Sequence, residues 1–270
     1  MNLEIAQRRN AKMKMALMGP SGSGKTYSAL LLAYGISKDW SKVIIIDTEN
    51  HSADLYSNLG PYYVCNFSSP FTPERYIEAL NLCEKSGAEV IIIDSISHEW
   101  EYLLDYHSNL PGNSFTAWSK VTPRHTAFIQ AMMQSPVHII ITCRTKQDYV
   151  LTDKNGKQVP EKVGLKSIQR DGIEYECTLV FDLDIKNNAT STKDRTGLFQ
   201  GKPELKLSPA TGELIAEWCS AGQALTEDLL TEKIDQVNSL NELYDLYRQH
   251  PSFQESLKPK FEQRKQQLSN

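Results

Sequence analysis

Five short apolar runs punctuate the first half of the chain: Lys14–Met18, Val43–Asp47, Tyr62–Asn66, Val90–Asp94 and Val137–Thr142. Two of them read Val-Ile-Ile-Ile-Asp. Such a strand has no polar face, so both of its sides must be covered. Between the runs the pattern turns helical. Thr26–Ile36 is rich in Ala and Leu, and Thr72-Pro73 reads as N-cap and first residue of a helix to about Ser86. Thr122-Pro123 repeats that start signal ahead of Arg124–Gln134. Buried strands alternating with helices predict an α/β fold, a mostly parallel sheet with helices on both faces.

After Thr142 the texture changes. Tyr149–Thr152 and Lys157–Pro160 flank Asp153-Lys154-Asn155-Gly156, a hairpin pattern. Glu174–Ile185, Ala189–Lys193 and Leu205–Leu207 read as further strands, which gives a β-rich C-terminal extension on the same sheet. From about Thr226 the chain is polar and helical. Ser239-Leu240-Asn241-Glu242 and Ser252-Phe253-Gln254-Glu255 are capping-box patterns. A boundary near Ala221–Ala224 divides a main domain, 1–221, from a small helical tail, 222–270. The tail either packs on the main domain or binds a partner.

Composition narrows the functional classes. The 270 residues carry a formal net charge of −4, which excludes a globally basic nucleic-acid coat but leaves room for a basic patch. The apolar runs are too short to cross a membrane, so no membrane association is expected. The start, Met1 to Arg9, has no apolar core after its charges and does not read as a secretory signal. The five cysteines are widely spaced and have no metal-ligand spacing. Reduced thiols in a cytoplasm fit them best.

The chemistry begins at Gly19-Pro20-Ser21-Gly22-Ser23-Gly24-Lys25-Thr26, which matches G-x-x-x-x-G-K-[ST] between a strand and a helix. Glycines let backbone N–H groups converge on a phosphate, and the helix N-terminus adds partial positive charge. Lys25 is expected to reach the β- and γ-phosphates and Thr26 to ligate Mg²⁺, with Tyr27 completing the nucleotide-binding segment. Val90–Asp94 would deliver a second Mg²⁺ partner, Asp94, from a buried strand end; the alternative is a helix N-cap. Val43–Asp47 leads into Thr48-Glu49. Either Asp47 and Glu49 cap the next helix, or Glu49 orients the water that attacks the γ-phosphate.

These motifs, in this order, resemble the RecA-like branch of P-loop ATPases. In that branch the strand after the P-loop helix carries the catalytic glutamate, and the Mg²⁺-associated strand ends Asp-Ser, as in Asp94-Ser95. Thr192-Lys193-Asp194-Arg195-Thr196-Gly197 looks like the Lys-x-Arg element that RecA-like motors insert into a neighbouring site. Asp94–Trp100 and the segments Lys162–Leu165 and Gln169–Glu176 are similar to those of phage and prophage AAA-type ATPases of RecA-like fold. The resemblance spans about Lys14–Phe199. It implies an ATP- and Mg²⁺-dependent ATPase with catalytic Lys25, Glu49, Asp94, Lys193 and Arg195. It also implies assembly into a ring or filament and a role in phage or prophage DNA recombination, repair or replication inside a bacterial host. One departure stands out. The carboxamide that recombinases carry after the strand ending near Thr142 is replaced by Cys143-Arg144-Thr145-Lys146, so Arg144 or Lys146 would meet the phosphate with charge instead.

Residues 144–170 hold seven basic and three acidic residues, a net +4 in a protein of −4. RecA-like proteins place a DNA-contacting loop here, which implies single-stranded DNA as a partner. A solvated hairpin is the plain alternative. Tyr106, Phe115 and Trp118 either pack or stack on bases. His98 and Glu99 either start a helix or face the nucleotide. Thr145-Lys146-Gln147-Asp148 matches a guanine-reading motif, so a GTPase is one rival. A small-molecule kinase would need an Arg-rich lid, which is not evident. A non-hydrolysing ATP-dependent assembly protein is the third.

Overall fold

The computed structural model describes residues 11–154, 157–221, 227–249 and 253–269. They fall into two compact units, Ala11–Ser220 and the chain from Ala221 onward. In the first unit the strands are β1 (Lys14–Gly19), β2 (Val43–Asp47), β3 (Tyr63–Asn66), β4 (Val90–Asp94), β5 (His138–Lys154), β6 (Lys157–Ser167), β7 (Leu179–Leu183) and β8 (Ala189–Asp194). The helices are α1 (Lys25–Ser37), α2 (Pro73–Lys85), α3 (Ser97–Ser108), α4 (Ser114–Gln134), α5 (Ile173–Glu176) and α6 (Pro209–Ser220).

The sheet runs β3-β2-β4-β5-β1-β7-β8. All neighbours are parallel up to β1–β7, and β8 returns antiparallel. β5 is far longer than the predicted run, because it continues past the sheet and pairs antiparallel with β6. The α/β architecture with a β-rich C-terminal portion is therefore as expected.

The Val-Ile-Ile-Ile strands explain the layering. Successive side chains point to opposite faces. Val43 and Ile45 join one core with Met15, Leu17, Leu30 of α1 and Ile215 of α6. Ile44 and Ile46 join the other with Tyr76 and Leu80 of α2 and Phe128 and Met132 of α4. Each residue in these strands is buried. On the first face, α1 meets α6 at Gly35 and Gly212. A Cβ on Gly35 would overlap the Pro209 carbonyl oxygen and lie 2.8 Å from the Gly212 Cα.

Thr72 caps α2 as expected, its Oγ1 accepting from the Arg75 amide at 3.3 Å. Three expectations need correction. Thr122-Pro123 does not begin a helix: α4 starts at Ser114, capped by Asn113 Oδ1 on the Phe115 amide at 2.9 Å, and runs through Pro123. Ala117, Val121, His125, Phe128 and Met132 are all buried along one stripe. Burial of that stripe outweighs the local cost of an interior proline, roughly 3 kcal/mol. The strand expected from Glu174 begins only at Leu179, because Ile173–Glu176 forms the short helix α5. Its Glu174 and Tyr175 carbonyls accept from Lys193 Nζ at 2.6 and 2.7 Å. Leu205 makes only an isolated bridge to Ala189.

The second unit holds α7 (Glu227–Gln236), α8 (Leu240–Gln249) and α9 (Lys258–Ser269) around Leu230, Ile234, Leu243, Leu257 and Phe261. Ser239 caps α8, its Oγ accepting from the Glu242 amide at 3.3 Å, while Glu242 accepts from the Asn238 amide at 3.2 Å. The Asn155-Gly156 turn and the Ser252 cap lie outside the described residues.

Gly35→Ala forces backbone apart at the α1–α6 crossing and should lower stability by roughly 1–3 kcal/mol in denaturant unfolding, with little change in the m-value. His138, at the start of β5, is buried, and its Nδ1 accepts from the Met13 amide at 3.1 Å, which requires an unprotonated nitrogen. Burial, with Lys12 and Lys14 adding repulsion, pushes its pKa down to about 4. The unfolded chain takes up that proton first, near pH 6.5. Stability is thus full above about pH 6.5 and falls towards pH 4 by roughly 3 kcal/mol. His138→Asn should flatten that slope in unfolding curves taken across the interval.

Candidate nucleotide-binding site

β1 is fully buried and ends at Gly19, and α1 begins at Lys25, so the intervening loop sits at the C-terminal edge of a parallel sheet. Open α/β sheets place ligands there. Gly22 and Gly24 take φ of 80° and 78°, which side-chain-bearing residues adopt only under strain. A cavity of about 470 Å³ opens above the loop, lined by Ser21, Gly22, Gly24, Lys25, Thr26, Glu49, Ser52, Tyr56, Asp94, Arg144, Thr145 and Ile168. Lys25 Nζ donates to the Gly19 and Pro20 carbonyls, both at 2.9 Å. Burial lowers its pKa, and Asp94 and Glu49 act against that.

Asp94 is the hub. It is 2 % exposed at the tip of β4. Oδ2 accepts from Thr26 Oγ1 and Oδ1 from Thr142 Oγ1, both at 2.5 Å. Its carbonyl accepts from the Thr48 amide at 2.8 Å. Burial raises its pKa, and the two threonine hydroxyls oppose the shift. Asp47 plays the capping part instead, accepting from the amides of Glu49 at 2.6 Å and Ala53 at 2.9 Å. Glu49 is released from capping and points into the cavity. There it is gripped bidentately by Arg144, with Nε to Oε1 at 2.8 Å and the second nitrogen on Oε2, while Ser95 Oγ donates to Oε1 at 3.0 Å. Burial acts to raise the Glu49 pKa, but Arg144 outweighs it and holds the carboxyl below its usual value.

The donor set suits a magnesium nucleotide. Among the described residues no Lys or Arg makes a salt bridge to Asp94, so a buried carboxylate beside a threonine hydroxyl has no direct ion pair. Hard oxygen ligands of this kind suit Mg²⁺, which keeps waters and phosphate oxygens in its shell and so needs no cage of three acidic or imidazole groups. No such cage exists among the described residues. The unobstructed space over Gly22 and the open backbone of the loop leave room for phosphates.

The structure thus brings together Gly22, Gly24, Lys25, Thr26, Glu49, Asp94 and Arg144. Gly19, Pro20 and Ser23 shape the loop from behind, where the Ser23 hydroxyl is buried without a hydrogen-bond partner. Tyr27 is exposed outside the cavity, 5.7 Å from the Tyr56 ring that lines it. Lys193 and Arg195 are not in this cavity. They lie on or just past edge strand β8, and Arg195 donates to the Tyr175 carbonyl at 3.3 Å. Thr145-Lys146-Gln147-Asp148 lies within the strand β5, paired to β6. His98 stacks on Phe71 at 4.8 Å and its Nδ1 lies 2.8 Å from Thr48 Oγ1, one step behind Glu49. Glu99 is fully buried against His125 Nδ1 at 3.1 Å.

Three participants escaped the sequence reading: Thr142, Ser95 and Thr48. Thr142 carried a signal, since it is the polar residue closing Val-His-Ile-Ile-Ile-Thr at a strand end. Thr48 sits between two acidic residues, where a hydroxyl has no distinctive pattern, and Ser95 shows in the sequence only as part of the Asp94-Ser95 strand end, which says nothing of its bond to Glu49.

A strand–loop–helix phosphate cradle with a carboxylate at the tip of the strand two places along the sheet defines a P-loop ATPase-type domain. The family model described as AAA domain matches residues 11–207, and the chain belongs to that family. A search of curated proteins finds no match. No described helix is long and apolar enough to cross a membrane.

Proposed function

We propose that this protein binds ATP with Mg²⁺ and hydrolyses it as a homo-oligomer acting on single-stranded DNA during recombination, repair or replication. One observation carries the reading: Lys25, Thr26, Glu49, Asp94 and Arg144 all line one cavity at the mouth of the glycine-rich loop. Lys25 and the loop amides hold the β- and γ-phosphates. Thr26 and Asp94 would hold the metal, which would supply positive charge beside the phosphates. Glu49, ionised at neutral pH, orients the attacking water and accepts its proton. Arg144 holds Glu49 until a γ-phosphate offers it a more highly charged partner, and the exchange frees the carboxylate. Lys193 and Arg195 sit outside their own cavity, at the sheet edge, which suits a role in a neighbour's site. The net +4 of residues 144–170 supports a nucleic-acid partner. The phage or prophage setting rests on the resemblance of the motifs alone.

The Glu49–Arg144 pair also favours a second reading. If it persists with nucleotide bound, no base is available, and the protein is a non-hydrolysing ATP-dependent assembly factor.

Phosphate-release assays separate the two. Glu49→Gln should cut turnover on the order of 10²-fold or more while ATP affinity stays within a few-fold. Wild-type protein without turnover supports the second reading. Arg144→Ala should weaken ATP much more than ADP, because only ATP carries the phosphate it meets. Arg195→Ala should bind ATP normally and lose most turnover. Mixing it with Lys25→Ala should restore part, since each chain then supplies what the other lacks. A mixture no more active than its parts removes the role in trans.

A further inference from the structure

A second cavity, about 580 Å³, lies beside the nucleotide site and is walled by Trp100, Leu104, Trp118, Lys146, Lys166 and Arg170, with Ser167 to Gln169 as further lining. Ile168 lines both cavities. One wall is aromatic. Trp100 of α3 and Trp118 of α4 lie with ring centroids 5.9 Å apart at 22°. His107 stacks behind Trp118 at 4.2 Å and His125 leans on Trp100 at 5.3 Å. Four rings from two packed helices hold the indole planes in place, which makes a rigid surface for a flat ligand. Neither indole is buried, and Leu104 beside them is 42 % exposed, so core packing leaves part of this wall unexplained.

The rest of the lining is mostly cationic. Lys146 and Lys166 are exposed partners across the base of the β5–β6 hairpin, and Arg170 is a few residues further on. One acid, Asp171, shares this lining and pairs with Lys166 at 3.0 Å. Both members of that pair are well exposed, so water screens it and a phosphate can displace it at small cost. Aromatic side chains and cations lining one cavity select a ligand with a flat apolar part and an anionic part, which describes a nucleobase with its phosphate.

We propose that this cavity takes one nucleotide of a single-stranded DNA, its base against Trp100 and Trp118 and its phosphate on Lys146, Lys166 and Arg170. The inference rests on the DNA-binding reading above and places a site within it. A strand is preferred to a free nucleotide because the cations continue into the basic hairpin that begins at this cavity. The floor is also tied to the nucleotide site. The Ile168 amide donates to the Arg144 carbonyl at 2.7 Å, and the buried Gln169 side chain donates to the Ile96 carbonyl at 3.1 Å. Filling the cavity therefore bears on the residue that grips Glu49, and the coupling must run both ways.

The test uses the full chain, with a labelled oligothymidylate, an abasic oligonucleotide of equal length and free thymidine monophosphate, each with and without Mg-ATP. Wild type should bind the oligothymidylate more tightly than the abasic strand, with quenching of tryptophan fluorescence. Trp118→Ala should weaken the oligothymidylate about tenfold and leave the abasic strand and ATP affinity unchanged. Trp118→Phe should recover most of the loss, which a folding defect in the alanine variant would not mimic. Equal binding of both strands by wild type, or Trp118→Ala indistinguishable from wild type on oligothymidylate, overturns the site while leaving DNA binding intact. Thymidine monophosphate as tight as the oligomer overturns the strand as ligand. No binding of any strand, in either nucleotide state, overturns the DNA reading and this site with it, while ATP turnover is unaffected by that result.

Discussion

Everything at the nucleotide end of this molecule depends on keeping one carboxylate buried. Asp94 closes an all-aliphatic strand, and its neighbours on the sheet, β2 and β5, are equally buried beside it. A lone anion there would be expelled or neutralised. Two threonine hydroxyls from two different elements make it tenable, Thr26 from α1 and Thr142 from β5, while Thr48, just past β2, holds the Asp94 backbone carbonyl. The hydroxyls offset part of the desolvation without neutralising the charge. The raised pKa records the part left uncompensated. The arrangement ties neighbouring strand ends into one geometry.

The second carboxylate is handled in the opposite way. Glu49 is only partly buried and has a cation of its own, so it stays ionised where Asp94 is pushed towards protonation. Two acids within one cavity thus have pKa values displaced in opposite directions, one by burial, the other by Arg144. That divergence is the usual physical sign of divided labour between paired acids. Asp47 belongs to neither role: with both oxygens committed to amides of the turn, it aims Glu49 instead of competing with it.

How much of this was legible depended on whether the relevant physics was local in the chain. The glycine-rich loop and the strand ends carrying Asp94 and Glu49 could be placed because a strand–loop–helix motif and apolar runs are local in the chain. The Val-Ile-Ile-Ile strands declared two-sided burial by their lack of alternation. By contrast, Glu49 and Arg144 are far apart in sequence, and each alone is only a charge after an apolar run. Pro123 misled because its local start signal says nothing of the buried stripe from Ala117 to Met132 that carries the helix through it. Glu174–Glu176 looked extended because its turn is sustained by Lys193, brought across by the β7–β8 pairing. The Trp100–Trp118 wall needed two helices to pack before its rings could meet.

The length of β5 gives the fold its directional character. A strand that ended at Thr142 would serve Asp94 and stop. This one continues without a break through Arg144, then through Thr145 and Lys146 into pairing with β6. Side chains along it therefore meet, in order, Asp94, Glu49 and the hairpin. Backbone hydrogen bonds make a paired strand stiff along its length, whereas the side-chain exchange proposed for Arg144 is local. Any displacement that accompanies it has two outlets, the Ile168 amide on the Arg144 carbonyl and the hairpin register beyond. Both lead to the basic segment. An irregularity in the ladder between Asp148 and Tyr149 marks where strict register gives way. A displacement arising at the phosphate would thus be carried rigidly as far as the hairpin base and be taken up beyond it, which places the Trp100–Trp118 cavity on the stiff side of that break.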